Sequence, residues 1–89
     1  MLSYLAIIDY CNNARDEYNE GWHVFEYGDG GDLRVLIDDE AIAYELTTYH
    51  GEIVASGELR SVKQLRELHN DGWKLIKDFI AEKDDQLVA

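Results

Sequence analysis

Cys11, His23, His50 and His69 are the residues of this chain with nucleophilic or strong ligand chemistry. A thiolate beside an imidazole would make a covalent catalyst. Cys11 instead falls on the apolar stripe of an N-terminal helix with acids nearby, a setting that keeps a thiol protonated and inert. The histidines show no HxH, HxxxH or HExxH spacing, so they do not form a zinc signature. Asp38-Asp39-Glu40 offers carboxylates to magnesium, but consecutive turn residues rarely aim at one point. Gly28-Asp29-Gly30-Gly31-Asp32 lacks the lysine and following helix of a phosphate cradle. It also lacks the alternating ligands and distal glutamate of a calcium loop. Its residue types are those of a hairpin turn. The expectation is a protein without catalytic residues, metal or cofactor.

What remains is charge. Residues 1–59 carry thirteen acids against Arg15 and Arg34, and so the whole net charge of −11; residues 60–89 balance six acids with six bases. Such a charge opposes folding by self-repulsion and bears on solubility and partner choice rather than on the fold. Nucleic acid is an unsuitable direct partner, because affinity for it comes largely from lysine and arginine neutralising phosphates. The basic residues Arg60, Lys63, Arg66, Lys74, Lys77 and Lys83 sit among equal numbers of acids, as in ordinary helix-surface pairs.

The elements that position these charges follow from periodicity. Eighty-nine residues with 46% hydrophobic content suit one domain spanning 1–89. Tyr4, Ile7, Ile8, Cys11, Ala14 and Tyr18 recur at helical spacing, predicting a helix over 3–19 that Gly21 ends. Alternating runs predict strands over 22–27, 33–38, 42–49 and 52–59, with a four-residue turn at 28–31 and a two-residue turn at His50-Gly51. In that register Trp22, Val24, Leu33, Val35, Ile37, Ile42, Tyr44, Leu46 and Leu59 face the core, with the Tyr44 ring over Gly57. Ser61-Val62-Lys63-Gln64 is a capping box opening a helical stretch over 61–82, broken near 70–72, with a frayed tail over 83–89. The fold class is α+β: αββββα, a four-stranded antiparallel meander with both terminal helices packed on one face.

Two acidic surfaces emerge from this layout. The outer sheet face displays Glu45, Glu52 and Glu58 among Phe25, Tyr27 and Tyr49, the mixture expected of a protein-binding patch. The polar side of the first helix displays Asp9, Asp16 and Glu20, with no base three or four residues away. Both suit a basic protein or nucleoprotein complex whose own lysines and arginines grip nucleic acid. The lone cysteine, the absence of a basic leader and the absence of an ~18-residue apolar run predict a cytoplasmic protein off the membrane.

The segment YELTTYHGEIVASGELRSVKQLRELHNDGWKLI (Tyr44–Ile76) resembles the hairpin-then-helix cores of small acidic anti-defence proteins of phages, the anti-CRISPR type in particular. The resemblance implies phage origin, an RNA-guided nuclease complex in the host cytoplasm as target, and action by binding. An antitoxin or immunity-type protein neutralising a basic toxin, and a homodimeric partner-binding module joined through Phe25, Tyr27, Leu36 and Tyr49, are the alternative functions.

Overall fold

The computed structural model describes residues 4–12, 15–16, 21–28, 30–38 and 40–88. Helix α1 (Tyr4–Cys11) leads into a two-residue strand β1 (Arg15–Asp16). Four antiparallel strands then form a meander: β2 (His23–Tyr27), β3 (Gly31–Ile37), β4 (Ile42–Thr48) and β5 (Ile53–Leu59). Helix α2 (Val62–Val88) closes the chain, and the strand order in the sheet is the order in sequence. Both helices bury residues against the same sheet face. Ile7 and Cys11 of α1 and Leu65 and Ile76 of α2 join Phe25, Leu33, Val35, Ile42 and Leu46 in one core.

The first helix is shorter than its sequence period suggests. It ends at Cys11, and Arg15–Asp16 pairs with Val24 and His23. Asn12 stands at the break, a residue type whose side chain competes with helical backbone bonds. Asp16 therefore belongs to a strand rather than a helix face. Gly21 takes its left-handed backbone (φ 74°) just before β2, far beyond the end of α1.

Strand β2 is turned over relative to the expected register. The first turn spans three residues, with Gly30 N–H donating to the Tyr27 carbonyl at 2.9 Å, and Tyr27 pairs with Gly31. Phe25 then faces Leu33 and His23 faces Val35, so the odd residues of β2 point at the helices. A one-residue change of register moves every side chain of a strand to the other face. Phe25 is thus buried in the core, and Val24, expected on the helix side, lies with Arg34 on the opposite face, where it is nonetheless buried.

The β4–β5 hairpin keeps the expected register from Ile42↔Leu59 to Leu46↔Ala55 and then shifts, pairing Thr47 with Ile53. Its turn is three residues long, since Thr48 N–H donates to the Glu52 carbonyl at 2.9 Å. Gly51 supplies the positive φ (83°) that a three-residue loop needs at its last position. Tyr44 lies over Gly57, its ring 3.4 Å from where a Cβ would stand.

Helix α2 runs unbroken through Asn70-Asp71-Gly72 and on to Val88, where a break and a frayed tail were expected. Gly72 is there for a close approach: a Cβ would collide with the Tyr27 hydroxyl and meet Leu46 Cδ1 at 3.2 Å. The helix is capped by Ser61, whose Oγ accepts Gln64 N–H at 3.2 Å, while Gln64 Oε1 accepts Arg60 N–H at 2.6 Å. Its buried side carries His69 and Trp73, with Leu75 and Ile80 left exposed. Tyr27 Oη donates to the His69 carbonyl at 2.7 Å, and Tyr10 Oη shares a 2.7 Å hydrogen bond with His69 Nδ1. The His69 ring lies 4.4 Å from Phe25, centroid to centroid.

Substituting Gly72→Ala should destabilise the protein by about 1–3 kcal/mol through overpacking. Alanine's helical advantage of roughly 1 kcal/mol works in the other direction; chemical denaturation checks the sign. Burial among these rings holds the His69 pKa below its ordinary value, because desolvation disfavours the imidazolium. The unfolded chain therefore takes up the proton first. The His69 contribution is complete above the unfolded pKa of about 6.5 and is lost as pH falls through the folded value. The stability gap between wild type and His69→Gln should accordingly narrow between neutral pH and about pH 5, as measured by urea unfolding at several pH values.

Candidate protein-binding face

The face of the sheet turned away from both helices is built from the alternate residues that the observed register leaves outside. From β2 these include Val24 and Glu26; from β3, Asp32, Arg34 and Leu36; from β4, Ala43, Glu45 and Thr47; from β5, Ile53, Ser56 and Glu58. Glu26 pairs directly with Asp32 across β2 and β3. Asp32 stands opposite Thr47, which places it diagonal to Glu45, and Glu45 stands opposite Ser56, which places it diagonal to Glu58. The four carboxylates thus cross four strands in one oblique line, with successive Cβ separations of about 5–8 Å.

Among the described side chains of this face there is one cation, Arg34. Its guanidinium lies 3.9 Å from Glu45 and 5.0 Å from the centroid of the half-buried Trp22 ring. The pair with Glu45 is loose, and both partners keep a quarter or more of their side-chain surface in solvent (25% and 33%). Glu58 is more open (61%) and meets Arg60 at 3.5 Å; Arg60 also donates to the Glu40 carbonyl at 3.0 Å. The five described bases beyond Arg60 (Lys63, Arg66, Lys74, Lys77 and Lys83) are all on α2, on the other side of the sheet. The uneven charge of the sequence is therefore uneven in space.

The structure rearranges the predicted patch. Glu45 and Glu58 lie on the outer face as expected. Glu52 is drawn to the helix side, where it forms an ion pair with Lys83. Tyr49 is 77% exposed, but at the hairpin tip rather than within the face. Phe25 and Tyr27 leave the patch for the core side, and Trp22 takes the aromatic place beside the carboxylates. Asp9 is exposed on α1 and Asp16 is in β1, so the two share no helical stripe; Glu20 lies outside the described residues. Glu26 and Asp32 were missed. The signal that could have found them is Gly31, which serves as a strand residue and shortens the turn to three.

Cys11, the lone cysteine, is buried. Among the described residues no group of three or more histidine, cysteine or acidic side chains is placed to hold a metal ion. Among the described residues no helix is long and apolar enough to cross a membrane. No protein family, curated protein or solved structure matches the chain.

Because Glu52 is engaged with Lys83 away from the outer face, Glu52→Gln should lower stability by no more than about 1 kcal/mol, the range of solvent-exposed ion pairs. Its effect on capture of basic proteins should be small beside that of substitutions on the face; paired denaturation and binding assays check this.

Proposed function

We infer that the chain is a non-enzymatic inhibitor of the anti-CRISPR kind. In this reading it docks its helix-free sheet face on the basic nucleic-acid-binding surface of a protein complex in the host cytoplasm. The observation that carries the reading is the oblique line Glu26, Asp32, Glu45 and Glu58, in which Glu45 meets Arg34 and Glu58 meets Arg60 in exposed or loose pairs. Carboxylates at about 5–8 Å intervals on a rigid sheet can meet several lysines or arginines at once. A field of one sign also speeds encounter with a basic target. The half-buried Trp22 and the exposed Ile53 supply apolar contact beside the charges. A homodimer joined through Phe25 and Tyr27 is disfavoured, since Phe25 is in the core and Tyr27 packs against it.

The test combines Glu26→Lys, Glu45→Lys and Glu58→Lys in one protein whose melting temperature is compared with wild type. Wild type should capture a nucleic-acid-binding complex from host lysate, release it as salt rises and lose it to competing DNA or RNA; the folded variant should not capture it. Capture that survives the three reversals and ignores both salt and nucleic acid would contradict the proposal.

A further inference from the structure

The two edges of the sheet are treated differently. On one side the sheet ends in β1, two residues long, and a short edge offers little to a pairing strand. On the other it ends in β5, seven residues long, whose one neighbour in the sheet among the described residues is β4. Edge strands of soluble proteins are usually blunted with lysine, proline or a covering element. The sequence IVASGEL of β5 contains neither lysine nor proline, and Ser56, Gly57 and Glu58 are exposed. Helix α2 packs on the inner side of β3, β4 and β5. The one irregularity, the shift between Leu46 and Thr47, lies at the hairpin tip, leaving Ala55–Leu59 in regular register with β4.

Charge selects the occupant. Glu58 stands at this edge on the outer face in an exposed 3.5 Å pair with Arg60, and Glu45 is its diagonal neighbour on β4. A strand added beside β5 would set its outward side chains about 5 Å from Glu58 and Ser56. Lysine or arginine there would meet the carboxylates, and small or apolar residues would alternate on the helix side beside Gly57. A second copy of the chain would bring another net charge of −11 to the same edge.

We propose that the open edge of β5 pairs with an extended, lysine- or arginine-bearing segment of the target protein, prolonging the sheet by one strand. This rests on the functional reading above and deepens it. Backbone hydrogen bonds would supply affinity, and alternate basic side chains would supply selectivity.

The test is amide hydrogen exchange on the full chain with a blocked, alternating lysine–valine peptide, alongside sedimentation of the protein alone. Exchange of alternate amides within 53–59 should slow several-fold on peptide addition, and the effect should weaken as salt rises. Peptide binding that shifts Glu26, Asp32 and Glu45 without protecting β5 would overturn the edge inference while leaving the acidic-face reading intact. Protection of β5 in a dimer without peptide would overturn it in favour of a second copy. Absence of salt-dependent peptide binding would overturn it as well; the acidic-face reading falls with it only if capture of the nucleic-acid-binding complex also fails.

Discussion

The three-residue turn between β2 and β3 is the constraint on which the rest of the molecule depends. By pairing Tyr27 with Gly31 it decides which half of β2 meets the helices. Phe25 enters the core, the Tyr27 hydroxyl reaches the His69 carbonyl, and Glu26 is turned outward to stand against Asp32. A turn longer by one residue would reverse all three assignments at once.

Magnitudes explain why this arrangement holds despite its charge. Two carboxylates directly opposed on adjacent strands cost up to about 1 kcal/mol. Burying a large apolar side chain gains roughly 1.5–3 kcal/mol, and Phe25, Leu33 and Leu46 are all buried on the inner face. The inner face therefore sets the register, and the outer face can accumulate acids without changing it. Helix α2 secures the result from above. Gly72 admits Tyr27 and Leu46 at close range, and Gly30 lies directly under the Trp73 ring. The acidic face opposes a helix layer that carries most of the described bases.

Much of this was legible in the residues. The strand alternation of Ile42–Leu46 against Ala55–Leu59, the Tyr44 ring over Gly57 and the Ser61 cap all follow from local pattern, and all are present. The failures share a cause: turn length is not written in turn composition. Gly28 to Gly31 supports a loop of three or four residues equally well, and only packing against α2 selects three. His50-Gly51 looks like a two-residue turn, yet the observed loop also takes Tyr49 and shifts Ile53 outward. The helical period runs on past Cys11 in the sequence, yet Arg15–Asp16 is a strand. Gly72 looked like a break because its use, contact with Tyr27, lies 45 positions away in sequence (72 − 27).

The sequence supplied the sign of the charge, and the fold shows where on the sheet Glu26, Asp32, Glu45 and Glu58 gather. The central claim is that partner contact falls on the sheet and not on the helices. Side-chain carboxylate carbon shifts, followed by nuclear magnetic resonance while a lysine-rich peptide is titrated in, test it most directly. Glu26, Asp32, Glu45 and Glu58 should respond first and together. If Glu67, Asp71, Asp78 and Glu82 on α2 responded first instead, the account would be wrong.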